Sequence, residues 1–168
     1  VVSNIRAAGQ QLHIPIPRRP WLEPLETTYA LEAVVEQSNT SALVIGRFDI
    51  PQDQVQPIAT FSPDDSGNMA IIGTGGTGKS TALRTLAITA VLNPNNGPVH
   101  VYVLDFASGS LQILEALPHV AAVVRGDDEE RIGRVLRRLV ALIEERSRKF
   151  NQVNASTLTQ YRQLANPD

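Results

Sequence analysis

The chain has no cysteine, no long uninterrupted hydrophobic run and no excess of basic charge. Without cysteine it forms no disulfide, no thiolate zinc site and no cysteine nucleophile. No stretch reaches the roughly 18 consecutive apolar residues that a membrane-spanning helix needs. The 15 Lys and Arg residues compare with 17 Asp and Glu residues, for a net charge of −2, which argues against a dedicated nucleic-acid-binding protein held by a basic face. Composition alone therefore points to no particular partner.

The chain is long enough for about one domain, since 168 residues of which 42% are hydrophobic can bury a core of their own. Val1–Gln11 has the pattern of the end of a helix and not of a secretion signal, so we expect the chain to be part of a longer polypeptide. Residues His13–Pro24 are rich in proline, which fixes φ and removes a backbone donor. We expect them to form an extended connector.

The order of the predicted elements indicates an α/β fold. We expect a hairpin or edge pair of strands between Thr40 and Ser62, and then alternating strands and helices. That order is typical of a mostly parallel sheet flanked by helices. The alternating elements are predicted at Asn68–Ile72 (strand), Ser80–Leu92 (helix), Val99–Phe106 (strand), Leu111–Leu117 (helix), Val120–Val124 (strand) and Asp127–Phe150 (amphipathic helix).

A glycine-rich loop, IIGTGGTGKST at residues 71–81, lies between a predicted strand and a predicted helix. Its residues match the phosphate-loop pattern G-x-x-x-x-G-K-[ST]. Glycines let consecutive backbone N–H groups wrap phosphate oxygens, and the helix dipole favours an anion there. In such loops the lysine reaches the β and γ phosphates and the serine ligates Mg²⁺. The sequence predicts an ATP site made of Gly73, Thr74, Gly75, Gly76, Thr77, Gly78, Lys79, Ser80 (with Mg²⁺) and Thr81, with Lys79 a candidate for stabilising transition-state charge.

The same glycines allow a second interpretation. Gly73, Gly75 and Gly78 also fit the G-x-G-x-x-G fingerprint of dinucleotide-binding folds, with Asp105 as the acid at the end of the next strand. That acid normally lies about 20 residues on, whereas Asp105 lies 32 residues after Gly73. The nucleoside triphosphate is therefore favoured over the dinucleotide. A glycine-rich turn with a solvated lysine remains as the plain structural alternative.

Five segments of the chain resemble the FtsK/SpoIIIE-type ATPase modules of the type VII secretion ATPases, the EccC/EssC family. They run in the order PWLEPL, IGRFDIPQDQVQP, GNMAIIGTGGTGKSTALRTL, VYVLDFASGSL and LPHVAAVVRGDDEERIGRVLRRL. The phosphate loop is shared by all P-loop proteins, whereas LDFASGSL and LPHV are more discriminating. The resemblance covers nearly the whole chain and implies a RecA/FtsK-like P-loop NTPase fold.

This resemblance also implies an organisation and a role. Such motor subunits carry three modules in tandem after a membrane anchor, at the cytoplasmic face of the bacterial plasma membrane. By resemblance, residues 1–29 are the tail of a preceding module with its linker, and residues 30–168 are the N-terminal part of the second module. The implied partners are neighbouring ATPase modules, membrane proteins of the secretion complex and WXG-type substrates with a C-terminal signal. No DNA is expected.

The catalytic acids of a P-loop ATPase are not identifiable in the chain. Val101–Asp105 imitates a Walker B strand, but Phe106 follows where a second acid would stand. In the family the Walker B strand comes after a segment that resembles Ser156–Pro167, so we expect the C-terminal strands of the sheet to be missing. Asp105 is then strand-end structure or an outer-sphere support for Mg²⁺, and hydrolysis stays open. A DNA translocase module and a nucleotide-independent docking module remain as alternatives.

Other conspicuous side chains have simple structural explanations. Arg134, Arg137 and Arg138 could include an arginine finger, but a solvated helix face paired with Glu130 is the favoured interpretation. His119 is most simply a loop or packing histidine.

Overall fold

The computed structural model describes residues 2–15, 21–38, 40–92, 99–107 and 109–165. The chain divides into two compact units. The first consists of residues 1–27 and 47–57, and the second of residues 28–46 and 58–168. The phosphate loop and the elements that follow it belong to the second unit.

The first unit contains helix α1 (Val2–Gln11) and a loop that runs from Phe48 to Pro57. Helix α1 confirms the helix expected at the start of the chain. The Phe48 N–H donates to the Pro57 carbonyl at 2.9 Å, which closes the base of the loop. The Gln56 Nε2 donates to the Glu23 carbonyl at 2.8 Å and so joins the loop to the connector. Residues 16–20 of the expected connector lie outside the described residues.

The predicted pair of strands is confirmed as β1 (Leu43–Arg47) and β2 (Ile58–Phe61), which form a two-stranded sheet. A second sheet joins β3 (Val101–Asp105) to β4 (Val120–Arg125) in parallel. The register pairs Tyr102 with Ala122 and continues to Asp105 beside Arg125. Both strands of the second sheet were predicted from their unbroken apolar runs, and the parallel pairing confirms the α/β arrangement at this point.

A short 3-10 helix, Gln112–Ala116, lies in the connection from β3 to β4, where the sequence predicted a short helix. Helix α4 (Lys79–Leu92) and helix α5 (Glu129–Gln152) confirm the two long predicted helices, with bounds shifted by one or two residues. Helix α5 begins at Glu129, two residues after the predicted start, because the Asp128 side chain caps it by accepting a hydrogen bond from the Arg131 N–H at 3.0 Å.

The predicted strand at Asn68–Ile72 is wrong, because no strand forms there. A strand exists only through hydrogen bonds to a neighbour, and among the described residues no segment pairs with this one. Ile72 is 94% exposed, so its apolar side chain has no layer to pack against. The segment has the apolar composition of a buried strand, but composition alone does not provide the neighbouring strand with which it would pair.

Within the described ranges, three helices were not predicted: α2 (Leu31–Glu36), α3 (Pro63–Ser66) and α6 (Leu158–Ala165). Helices α2 and α3 are too short to show a helical period. Helix α6 does carry a local signal, because Thr157 and Gln160 form a capping arrangement. The Thr157 Oγ1 accepts from the Gln160 N–H at 3.2 Å, and the Gln160 side chain accepts from the Ser156 N–H at 2.9 Å.

The core of the second unit lies between α4, the 3-10 helix and the sheet of β3 and β4. Its members are aliphatic, and partly buried neighbours from the same elements pack against them. The buried cluster consists of Ala87, Val103, Leu111, Leu114 and Val123. This core fixes α4 against β3, and therefore fixes the phosphate loop at the start of α4 relative to the sheet.

Candidate phosphate-binding site

The phosphate loop leads directly into α4, whose first residue is Lys79. The Lys79 ammonium folds back over the loop and donates to the Gly73 carbonyl at 2.8 Å and to the Thr74 carbonyl at 2.5 Å. Both acceptors are backbone groups of the loop itself. An ammonium held at the backbone of the loop is in position to meet an anion that binds there.

Two glycines of the loop have backbone conformations that other residues adopt only with strain. Gly76 has φ +76° and Gly78 has φ +86°. A left-handed residue that carries a Cβ costs about 1–2 kcal/mol. Glycine at these positions therefore gives the loop the curvature by which backbone N–H groups converge on one point.

The loop is also held together across its own width. The Thr77 hydroxyl donates to the Thr74 carbonyl at 2.9 Å. A Cβ added at Gly73 would lie 2.6 Å from the Thr77 Oγ1, so a side chain at residue 73 would displace Thr77. The sequence alone gave a phosphate-binding reason for these glycines, and the structure adds a packing reason for Gly73.

The start of α4 fits an anionic ligand. Its first turn carries no acidic side chain that would neutralise the positive end of the helix. Ser80 and Thr81 lie in that turn, and the first hydrogen bond of the helix runs from the Ala82 N–H to the Gly78 carbonyl at 2.9 Å. The N–H groups of the first turn are those that a helix leaves without intrahelical acceptors. The loop, its lysine and the helix start are therefore suited to an anionic ligand.

Asp105, at the end of β3, has a structural role. Its side chain is 5% exposed, and its two oxygens accept hydrogen bonds from the Ala107 N–H and the Leu111 N–H, both at 3.0 Å. These bonds, chiefly the one from Leu111, hold the pKa of the carboxyl below its ordinary value of 3.8, although burial opposes them. The Gly109 N–H and the charge of Arg125 act in the same direction. Asp105 is a charged anchor for the loop that follows β3.

The structure does not bring Asp105 and the phosphate loop into one hydrogen-bonded cluster. None of the hydrogen bonds between described residues joins Asp105 to residues 73–81. Within the described ranges there is also no group of three or more His, Asp or Glu side chains that could hold a metal ion. Ser80 stays a predicted ligand for Mg²⁺. The outer-sphere role of Asp105 stays a prediction.

Two of the other conspicuous side chains, Arg134 and His119, have ordinary partners. Arg134 forms an ion pair with Glu130 one turn earlier on α5, as the spacing predicted. His119 Nε2 lies 2.9 Å from the Ala87 carbonyl, and because a carbonyl only accepts, this nitrogen carries the proton. The histidine therefore packs the start of β4 against α4.

One functional contact was missed by the sequence. The Asp64 carboxylate accepts from the Leu158 N–H and from the Thr159 N–H, both at 2.9 Å, and so caps the start of α6. Hydrogen bonds from Thr159, through its side chain and its backbone, are the main reason that the pKa of Asp64 lies below 3.8. Capping signals are read between neighbouring residues, whereas here donor and acceptor are 94 and 95 residues apart. We call this contact the Asp64 clamp.

Comparison with known proteins places this geometry in a family. The sequence model of the FtsK/SpoIIIE family matches residues 32–168. The ESX secretion system protein EccC of Geobacillus thermodenitrificans (strain NG80-2) is 33% identical over 165 residues, which are 98% of this chain and 11% of that protein. The type VII secretion system protein EssC of Staphylococcus aureus (strain MRSA252) is 28% identical over 170 residues, 96% of this chain and 12% of that protein.

Solved structures agree with the sequence relatives. A structure of EssC from Geobacillus thermodenitrificans that holds ATPases 2 and 3 has a TM-score of 0.67 and 30% identity, covering 90% of this chain and 28% of that one. The cytoplasmic domain of EssC has a TM-score of 0.64 and 31% identity, covering 76% of this chain and 24% of that one. The chain thus spans 11–12% of the length of the sequence relatives named above.

The predicted resemblance is therefore confirmed, and with it the P-loop ATPase-like fold that the family shares. In the part of the chain that the structure describes, no helix is long and apolar enough to cross a membrane. Because the family model covers most of the chain and relatives of the same kind match nearly all of it, the chain belongs to the FtsK/SpoIIIE family and is homologous to the ATPase modules of the EccC/EssC type VII secretion proteins.

Proposed function

We propose that this chain is an ATP-binding module of a type VII secretion motor. The observation that carries the proposal is the Lys79 ammonium held over the phosphate loop by the Gly73 and Thr74 carbonyls, at the start of a helix whose first turn has no acid. The family implies nucleotide and Mg²⁺ as ligands in general. We assign the nucleotide site to residues Gly73–Thr81.

Each residue of the loop has a definite task in this proposal. When ATP binds, the Lys79 ammonium gives up its hydrogen bonds to two backbone carbonyls and bonds to oxygens of the β and γ phosphates instead. The free-energy cost of this exchange is small because the ammonium already lies at the loop. Gly76 and Gly78 keep the backbone N–H groups pointing inward. Ser80 contributes its hydroxyl to Mg²⁺, which when bound neutralises phosphate charge. Thr81 lies next in line for the α phosphate.

We further propose that the loop acts by coupling. ATP at residues Gly73–Thr81 favours one packing of α4 against adjacent modules, and contacts with neighbours or substrate shift the same equilibrium. The rigid joint between α4 and the core, through Ala87 and the His119 side chain, supports this idea because a displacement of the loop moves the whole helix. Whether ATP is also hydrolysed depends on acids outside this site.

Within the polypeptide we propose that residues 1–29 are the tail and linker of a preceding module and residues 30–168 the first part of the second ATPase module. The solved relative that holds ATPases 2 and 3 supports this assignment. The partners would then be neighbouring modules, membrane proteins of the secretion complex and WXG-type substrates with a C-terminal signal. The module would work at the cytoplasmic face of the bacterial plasma membrane.

We also propose that further parallel strands complete the sheet beside β3. Within the described ranges β3 pairs with β4 alone. A hollow of about 380 Å³ follows β3 from Val101 to Leu104, with aliphatic side chains of α4 such as Leu83 and Leu86 on its other wall. Because neighbouring side chains of a strand point to opposite faces, a hollow that touches four in succession follows the edge of the strand. An apolar strand fits such an edge.

Titration calorimetry with Mg·ATP on the full-length protein tests the nucleotide site. Lys79→Ala removes the loop ammonium, and Lys149→Ala is the matched control because Lys149 is the only other lysine of the chain and pairs with Glu145 at 2.7 Å on α5. Because other modules of the protein can also bind ATP, the readout is the number of sites. We expect one site fewer in Lys79→Ala and an unchanged number in Lys149→Ala. An unchanged number in Lys79→Ala would refute the proposal.

Three further measurements distinguish the alternative functions. NADH in place of ATP at a Lys79-dependent site would favour a dinucleotide-binding fold. DNA-stimulated, salt-sensitive ATP turnover would favour a DNA translocase. Partner binding that is indifferent to Lys79→Ala, together with no ATP at this loop, would favour a docking module.

A further inference from the structure

Two neighbouring hollows of the second unit share a wall at the amino end of β3. The first has a volume of about 300 Å³ and lies between α3, α5 and α6. The second, about 270 Å³, lies beside α5. His100 and Arg146 line both hollows, so the two form one elongated depression. We call it the His100 groove.

The Asp64 clamp builds one side of this groove. By capping α6, Asp64 brings Leu158, Thr159 and Arg162 to the first hollow, opposite Arg146. The aromatic rings of Phe150 and Tyr161 stack at a centroid distance of 5.1 Å and hold the same helix against the end of α5. Two independent contacts thus fix α6, and the groove is a product of tertiary structure.

The charges along the groove do not balance. The Asp64 carboxylate accepts hydrogen bonds from the α6 amides and attracts Arg162. The Asp65 carboxylate accepts a hydrogen bond from the Ser62 hydroxyl at 2.6 Å. Among the residues that the structure describes, Arg146 and His100 take part in no hydrogen bond or ion pair. The acids of the groove are occupied, while a guanidinium and an imidazole face it without acceptors.

The floor of the groove is apolar. In the first hollow Leu43, Ala90 and Val99 lie beneath the polar rim. In the second, the aliphatic side chains are Leu139, Leu142 and Ile143 of α5. A ligand that fits must therefore offer both an anionic group and an aliphatic or aromatic surface.

We propose that the His100 groove binds an acidic peptide segment of a partner protein, with a carboxylate on Arg146 and His100 and apolar side chains on the floor. A guanidinium receives a carboxylate through paired N–H donors. Asp64 and Asp65 on the rim disfavour a multiply charged phosphate chain more than a single carboxylate. Ala90 lies 11 residues after Lys79, about 16 Å along α4, so this site is distinct from the phosphate loop.

Fluorescence anisotropy on the full-length protein tests the proposal. The probe is a fluorescein-labelled peptide with one Glu flanked by Leu residues, and its comparison peptide has Gln in place of that Glu. The test variant is Arg146→Gln, and the matched control is Arg148→Gln, an exposed arginine of the same helix that does not line the groove. We expect the acidic peptide to bind about tenfold more weakly to Arg146→Gln than to the natural protein. Arg148→Gln should bind it unchanged.

Three outcomes would overturn the proposal. The first is equal loss in both arginine variants, which indicates general charge attraction. The second is equal binding of the Gln peptide, and the third is displacement by inorganic phosphate at matched ionic strength, which indicates a plain anion site. In the absence of ATP, Lys79→Ala should leave peptide binding unchanged, so a failure at the phosphate loop and a failure at this groove are distinguishable.

Discussion

The Asp105 carboxylate accepts a hydrogen bond at 3.0 Å from the N–H of Leu111, six residues later in the chain. Leu111 belongs to the buried core cluster. One charged side chain at the end of β3 thus determines how the following loop folds back and how Leu111 enters the core. This contact explains how a carboxylate that is 5% exposed is stabilised without a metal ion.

Replacing Asp105 with alanine should destabilise this region of the module. The N–H groups of Ala107 and Leu111 would lose their acceptor, and a buried donor left without one costs about 1–3 kcal/mol. We expect hydrogen exchange at the Leu111 amide to become roughly ten to a hundred times faster, since 1.4 kcal/mol corresponds to tenfold. Exchange monitored by mass spectrometry over the peptide that contains Leu111 measures this.

Asp105→Asn separates this structural role from a metal role. It keeps the shape and one oxygen acceptor but removes the charge, so we expect an intermediate rise in exchange and an unchanged affinity for Mg·ATP at the Lys79 site. A different pair of results would instead assign Asp105 to the metal. Hydrogen exchange at the Leu111 amide would stay as in the natural protein, and the ATP affinity would be tenfold weaker only when Mg²⁺ is present.

The Asp64 clamp should make the stability of the second unit depend on acid pH. The pKa of Asp64 is lower in the folded protein than its ordinary value of 3.8, so the unfolded chain binds the proton more readily. The stabilisation is therefore complete above pH about 4 and is lost as pH falls through the lower folded pKa. Asp105, whose pKa is lowered as well, contributes in the same direction.

Urea midpoints measured between pH 2.5 and 7, roughly the range in which carboxyl groups titrate, check this. We expect Asp64→Asn to lower the midpoint at pH 5–7, and we expect the difference from the natural protein to shrink as the pH falls below about 4, because protonation then removes the charge. Asp65→Asn is the control, since Asp65 bonds to Ser62 and not to α6. A midpoint difference that stays constant across the whole range would contradict the ionic role of the clamp.

Gly126 should not tolerate alanine. A Cβ there would lie 2.6 Å from Cδ1 and 2.9 Å from Cα of Phe106, and the backbone atom cannot swing away as a side chain can. Gly126 also donates to the Asp105 carbonyl at 2.8 Å, which ties it to the end of β3. We expect Gly126→Ala to lower the free energy of unfolding by about 1–3 kcal/mol.

Gly46→Ala is the matched control for this substitution. Gly46 lies in β1 with open space where the Cβ would be, so alanine should be neutral or slightly stabilising. The measurement is the urea midpoint of the two variants beside that of the natural protein. Equal midpoints for Gly126→Ala and Gly46→Ala would show that the strand end shifts freely around Phe106.

Much of the fold and the core of the candidate site were predictable because they depend on local patterns. Helix α5 follows from apolar residues at three- and four-residue spacing, and β3 and β4 from short unbroken apolar runs. The nucleotide hypothesis depends on glycine spacing around Lys79, which neighbouring residues determine by themselves. The segment at Asn68–Ile72 shows the limit, because an apolar run predicts a strand only if a partner strand is present.

The sequence by itself determined the phosphate loop, the helix that follows it and the parallel α/β character of the strands beyond. Their physical basis lies within a few residues: a missing Cβ, a helix dipole and the periodicity of apolar side chains. Only the tertiary structure decided that Asp64 caps α6, that Asp105 anchors the loop to Leu111 and that Arg146 and His100 share one groove. Asp64 and α6 lie far apart in the chain, as do His100 and Arg146, while Asp105 bonds to Leu111 across a loop of six residues. In each case a buried or charged group takes the partner that folding brings to it.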